Sequence, residues 1–205
     1  MMHPDTELRY IDERFGLGIV ATKLIPKGTV VWILDDLDMV LEEDEIEALD
    51  DVRKEAVYKY AYLNRSEQYV LNWDHARYMN HSFFPNCVDT AYQLELAARD
   101  IQPGEQLTCD YGAMGEDESF ECVPESGTDR TKVREDDYLR HSAEWDEMAR
   151  DAFRFFNQVE QPLKHLIQEQ FAAKVQAVAD GREPLDSILL TFLAGEEEED
   201  EEEED

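Results

Sequence analysis

The rhythm of apolar and polar positions changes three times along this 205-residue chain. From residue 8 to 34, apolar residues come in short runs broken by glycine and by the turn Pro26-Lys27-Gly28, which predicts short strands. Thr29-Val30-Val31-Trp32-Ile33-Leu34 is the most β-rich of these runs. From Glu42 to Tyr62 the spacing turns helical, with Ile46, Leu49, Val52, Ala56 and Tyr60 recurring at steps of three and four. Residues 68 to 111 return to short strands and loops, punctuated by Pro85, Pro103 and Gly104. Within them, Gln93-Leu94-Glu95-Leu96-Ala97 alternates as a half-buried strand should. Residues 112 to 135 are polar and turn-rich, which predicts a flexible connector.

Beyond residue 135 the helical rhythm takes over. Trp145, Met148, Ala149, Ala152, Phe153 and Phe156 share one helix face. Pro162 interrupts the pattern, and Leu163, Leu166, Ile167, Phe171, Val175 and Val178 predict a second helix that stops at Gly181. Both stripes read first as packing surfaces and second as a partner groove. No internal repeat is visible. The expected fold is mainly β with α, followed by a helical C-terminal extension over residues 136–194. Residues 195–205 cannot bury apolar area and are expected to be disordered.

Charge narrows the possible partners. The formal net charge is −31, and ten of these charges lie in the unbroken acidic run Glu196–Asp205, leaving about −21 on the rest. Such a surface disfavours direct nucleic-acid binding, which needs a basic footprint. It favours solubility or adaptation to salt, and it would also steer a basic, lysine-rich protein toward the chain. The seven Lys against twelve Arg fit a salt-loving host. No run of 18 apolar residues exists, so no membrane span is expected, and the polar N-terminus lacks a secretory h-region. Three cysteines, Cys87, Cys109 and Cys122, cannot build a disulfide framework or a four-thiolate zinc site. An intracellular setting follows: cytoplasmic or, in a eukaryote, possible also in the nucleus. The spacing of a metal hydrolase, His-Glu-x-x-His or paired cysteines, is missing.

Three segments carry the chemistry. The first is Gly16-Leu17-Gly18-Ile19-Val20-Ala21, continuing to Ile25-Pro26-Lys27-Gly28. The second is Arg77-Tyr78-Met79-Asn80-His81-Ser82-Phe83-Phe84-Pro85-Asn86-Cys87. The third is Gly104-Glu105-Gln106-Leu107-Thr108-Cys109-Asp110-Tyr111-Gly112. In this order they resemble the motifs of SET domains, S-adenosylmethionine-dependent protein lysine methyltransferases. The resemblance covers residues 8 to about 125. It implies a domain over residues 1–112 whose last motif threads a loop made by the one before, bringing Asn80 beside Tyr111. Residues 113–135 would then be a degenerate post-SET connector.

The resemblance also implies roles. Tyr111 matches the tyrosine that holds the lysine amine, although by itself it would pass for an ordinary buried tyrosine. Asn80 and His81 match the cofactor-binding pair, and an Asn amide suits an amino-acid moiety because it both donates and accepts. Gly16, Leu17 and Gly18 would let backbone approach the cofactor, since glycine imposes no Cβ. Arg77 is either a cofactor contact or a structural ion pair. Tyr69 and Tyr78 are candidate walls of the lysine channel. A lysine has a pKa near about 10.4, so an apolar channel would help by disfavouring its ammonium form.

This chain departs from the pattern at several places. Phe83 stands where zinc-binding relatives have cysteine, and only Cys122 remains of the post-SET thiolates, so no zinc is expected. Phe120 falls where an apolar residue covers the adenine. Cys109 replaces the common Phe or Tyr two residues before the tyrosine, so the pocket is expected to tolerate higher methylation states unless another aromatic fills the gap. The common Tyr-x-Gly-Glu turn gives way to Trp32-Ile33-Leu34-Asp35-Asp36. The expected activity is methyl transfer from S-adenosyl-L-methionine, leaving S-adenosyl-L-homocysteine, to a lysine of a basic protein. The alternative is a non-catalytic SET-fold binding module that engages basic proteins.

Overall fold

The computed structural model describes residues 1–64, 66–114 and 119–190; the acidic run expected to be disordered lies outside them. In chain order the first strands are β1 (Thr6–Asp12), β2 (Gly16–Ala21), β3 (Val30–Ile33) and β4 (Met39–Leu41). Helices α1 (Glu43–Glu47) and α2 (Asp51–Tyr60) follow. Then come β5 (Tyr62–Leu63), β6 (Tyr69–Leu71), β7 (Asn80–His81), β8 (Cys87–Asp89), β9 (Leu94–Ala97) and β10 (Thr108–Cys109). A small hairpin, β11 (Phe120–Glu121) with β12 (Lys132–Val133), precedes α3 (Asp137–Phe153) and α4 (Glu169–Ala179).

β1 and β2 form a hairpin whose turn is closed by Asp12, its carboxylate accepting from the N–H groups of Arg14 at 2.8 Å and Phe15 at 3.0 Å. β3 pairs antiparallel with β9, and β9 pairs antiparallel with β8. β4, β6 and β5 make a second antiparallel sheet in that order. The strands thus make several small sheets, and a helical C-terminal part follows them.

The single helix expected over 42–62 is instead two helices with a strand on either side. The first ends with Ala48 as its C-cap, and Asp50 caps the second, its side chain accepting from the Arg53 N–H at 3.0 Å. The break resets the phase of the apolar stripe, so Ile46 and Val57 are buried while Val52 is 78% exposed. β9 also differs from expectation. All four of its residues are buried, Glu95 included, because α3 covers one face of the sheet and a second cluster covers the other.

α3 begins eight residues before Trp145 and buries Trp145, Ala149, Ala152 and Phe153 against Val30, Ile33, Leu94 and Leu96 of the sheet. α4 adds Val175 and Val178 to the same cluster. Residues 164–166 form a short 3-10 turn rather than the start of the second helix, and Leu163 still anchors them, 2% exposed. Gln161 ties this segment to the strands. Its Nε2 donates to the Gly28 carbonyl at 2.7 Å, and its Oε1 accepts from the Val30 N–H at 2.9 Å. The helical part and the sheet therefore share one core. Of residues 112–135, those described hold the β11–β12 hairpin. The opposite face of the β3-β9-β8 sheet packs Trp32, Ala97 and Cys87 against Ile19, Ile101, Leu107 and Cys109. That face positions the candidate site.

Candidate active site

β7 and β10 lie side by side in parallel, with Asn80 opposite Thr108 and His81 opposite Cys109. The Ser82 N–H extends the pairing by donating to the Cys109 carbonyl at 2.9 Å. Asn86, 2% exposed, stitches the same two segments: its Nδ2 donates to the Gln106 carbonyl at 2.8 Å and its Oδ1 accepts from Thr108 N–H at 2.9 Å. The second and third motifs thus meet through backbone and a buried amide.

His81 Nδ1 accepts from the Tyr111 N–H at 3.1 Å, which leaves the imidazole proton on Nε2. Nε2 is buried without a protein partner. Burial pushes the His81 pKa down, against the opposing charges of Asp110 and Glu125, so the ring is neutral near pH 7. Phe83 packs edge-on to it at 4.4 Å.

The first motif joins from the other side. Asn80 Nδ2 donates to the Leu17 carbonyl at 3.0 Å. Gly18 sits so close that an added Cβ would lie 2.8 Å from Asn80 Nδ2 and 2.7 Å from Ile11 Cγ1. Gly16 holds a left-handed φ of +68° with open space around it. Gly16, Leu17, Gly18, Asn80 and His81 are therefore neighbours. Phe120 is 36% exposed on β11, its ring 6.4 Å from that of Tyr111.

A cavity of about 750 Å³ opens beside Tyr111. Tyr69 and Cys109 line it, as do Tyr60, Tyr62 and Trp32. The Tyr111 hydroxyl donates to the Met79 carbonyl. Arg77 lines this cavity, its guanidinium over the rings of Tyr78 at 5.6 Å and Tyr60 at 5.9 Å. Tyr78 stands behind the wall, edge-on to Tyr60 at 5.4 Å.

The groups that brace Tyr111 escaped the sequence reading. Asp110, 4% exposed, accepts from Arg130 Nη1 at 2.5 Å, Trp145 Nε1 at 3.3 Å and the Gly112 N–H at 3.1 Å. Arg130 Nη2 also donates to Asp137 Oδ2 at 2.9 Å, and the guanidinium covers the Phe83 ring at 4.4 Å. One arginine therefore links the third motif, the segment after it, and the start of α3. Arg130 in a polar stretch gave no signal. Asp110 could have been suspected from its place before the tyrosine.

A family model described as the SET domain matches residues 16–112, from the first motif to the end of the third. Among solved structures, a proposed histone methyltransferase of Plasmodium falciparum is similar, at 16% identity and a TM-score of 0.39, over 54% of this chain and 95% of that one. The matched interval holds Asn80, His81 and Tyr111 in the motif order of the family. Residues 16–112, just under half of the chain, match the SET-domain family and carry its motifs in order.

Proposed function

We propose that this chain is an S-adenosyl-L-methionine-dependent protein lysine N-methyltransferase. The observation that carries the reading is the parallel β7–β10 pair, which brings Asn80 and His81 beside the segment leading to Tyr111 and its tyrosine-lined cavity.

The first-motif backbone packs closely on the second motif. Gly18 has no room for a Cβ, which lets its backbone sit against the side chains of Asn80 and Ile11. Asn80 offers an amide that can meet both an ammonium and a carboxylate. The Nε2 of His81 is a buried donor without a protein partner, on a ring packed against Phe83 and Tyr111. Gly16, Leu17, Gly18, Asn80 and His81 would hold the cofactor, with Phe120 over it. Bound there, S-adenosyl-L-methionine would supply an electrophilic methyl group and leave as S-adenosyl-L-homocysteine.

The chain's own residues do the positioning. The Tyr111 proton is committed to the Met79 carbonyl, so toward a substrate amine its oxygen acts as an acceptor. Accepting one N–H of the amine turns the nitrogen lone pair in a fixed direction. Alignment of this kind is worth about 7–11 kcal/mol in favourable cases. Tyr60, Tyr62 and Tyr69 suit the aliphatic stem of a lysine and tolerate its cationic head. The acidic body favours a basic protein as the target. No described helix is long and apolar enough to cross a membrane.

Calorimetric titration of S-adenosyl-L-methionine into the wild type and Asn80→Ala tests the reading. Saturable binding that the variant loses is the expected result. No binding by the wild type would overturn it and leave a SET-fold binding module.

A further inference from the structure

We propose that Glu95 and Asp89 form a carboxylate pair in the cavity wall that binds the primary ammonium of an entering lysine side chain and relays its proton. The proposal rests on lysine being the substrate of the reading above.

The two residues stand directly opposite each other on β9 and β8. Residues so paired have Cβ atoms about 4.5–5.5 Å apart and point to one face. Here that face is the one carrying the site, and both side chains line the same cavity as Cys109 and Tyr111. Glu95 is only 9% exposed, and its Oε2 has no hydrogen-bond partner. Like charges directly opposite are destabilising in a sheet, and a buried carboxylate without a partner costs more still. A core that wanted packing alone would place an apolar residue on β9 here, as it does at Leu94 and Leu96. An arrangement of two carboxylates, one orphaned and aimed into a cavity, is suited to a cation.

The charged and titratable groups around Glu95 give the pair its chemistry. Burial comes first and the Asp89 charge second in pushing the Glu95 pKa up to about 8, with the amino group of Met1 opposing them. Cys87 comes from β8 and Cys109 from β10; burial, then Glu95, push both thiols up, so neither ionises near neutral pH. Asp110, paired with Arg130, and Trp145 of α3 line a small pocket with Glu95, Asp89 and Cys109, and Lys59, Arg77 and Asp186 line the larger cavity. In the empty site at pH 7, Glu95 therefore carries its proton.

The relay balances in two steps. An ammonium entering beside the pair draws the proton of Glu95–COOH into solvent and pairs with the carboxylate. The ammonium then passes one proton to Glu95: an N–H bond breaks, its electron pair stays on nitrogen, and an O–H bond forms. The products are R–NH2 and Glu95–COOH, with one proton released overall. The neutral amine is left in the cavity that Tyr111 lines.

The test uses n-butylammonium chloride as the lysine mimic and the full chain. Calorimetric titrations at pH 7 in two buffers of different ionisation enthalpy count protons. The wild type is expected to bind the cation and release about one proton, with release fading above pH 8. Glu95→Gln is expected to bind about tenfold more weakly and release none. In Asp89→Asn the like charge is gone, so proton release should fade at a lower pH. Near-ultraviolet circular dichroism of Trp32, which is paired with Glu95, reports that the variants fold. Two results would overturn the proposal: no cation binding by a wild type that binds S-adenosyl-L-methionine, or binding unchanged in both variants. Cation binding with proton release by a wild type that ignores S-adenosyl-L-methionine would uphold the ammonium site and remove the methyltransferase reading.

Discussion

The guanidinium of Arg130 donates to both carboxylate oxygens of Asp110, the residue immediately before Tyr111. Asp110 and Asp137 are both almost fully buried, at 4% and 1% exposure. Removing their shared cation strands two carboxylates. Arg130→Met should therefore cost about 3–5 kcal/mol, the cost typical of breaking a buried pair. A fall in Tm on the order of 10 °C should accompany it. Urea denaturation measures the first and a thermal scan the second. An Arg130→Met protein as stable as the wild type would show that the pair is not what holds Asp110.

The two glycines of the first motif separate backbone strain from space. Gly18→Ala drives a methyl group into Asn80 and Ile11. Under the methyltransferase reading it should weaken S-adenosyl-L-methionine binding by tenfold or more while costing about 1–3 kcal/mol of stability. Gly16→Ala meets nothing but must adopt a left-handed φ, a strain of about 1–3 kcal/mol that should leave the packing of Gly18 intact. Calorimetry beside thermal denaturation of both variants distinguishes the two costs.

Glu95 should leave a signature in stability against pH. Its folded pKa is raised from 4.5 to about 8, so the native state binds a proton that the unfolded state releases first. The stability this gives is complete below pH 4.5 and is lost as pH rises toward 8. Glu95→Gln keeps the neutral shape at every pH. Its stability advantage over the wild type should be absent at pH 4 and grow to several kcal/mol at pH 8. His3 and His81 are held low by burial and act in the opposite sense below their ordinary pKa, but they are common to both proteins and cancel in the difference. A constant difference across this range would refute the assignment.

The parts of the site that were legible are those built from unusual residues in short runs. Glycines at 16 and 18, the amide at 80 and the tyrosine at 111 each need a specific residue type, so sequence displays them. Arg130 was not legible, because its partners at 110 and 137 are brought to it only by the fold. Glu95 was disguised as the polar half of an alternating strand. Period two reveals which residues share a face, but not that both faces are covered. The split of the 42–62 helix could have been read from Asp50, a strong N-cap that the run of apolar steps overshadowed.

Cys109 is 5% exposed and lines the cavity between Glu95 and Tyr111. Under the methyltransferase reading, Cys109→Tyr fills space next to the amine. Mass spectra of methylated lysine peptides from a mixed library should shift toward monomethyl product. An unchanged product distribution would show that Cys109 does not set the methylation state.

The shared core makes the C-terminal helices part of the domain's stability. A chain ending at residue 135 loses Trp145, Ala149, Phe153, Phe156 and Val175 from the cluster that covers Leu94 and Leu96. It should fail to fold cooperatively, showing no sharp thermal transition by circular dichroism. A cooperative transition near that of the full chain would show that residues 1–135 are self-sufficient.

The contact between Trp145 and Asp110 also dictates when the site can mature during synthesis. A ribosome delivers the chain from its N-terminus, so the three motifs emerge while the partners of Asp110 are still inside the exit tunnel. Until Arg130, Asp137 and Trp145 have followed, a nascent chain holds every motif residue and lacks the brace beside the tyrosine. The brace beside the tyrosine is thus completed only once the third helix is out, and a truncated translation product displays the whole signature without that brace.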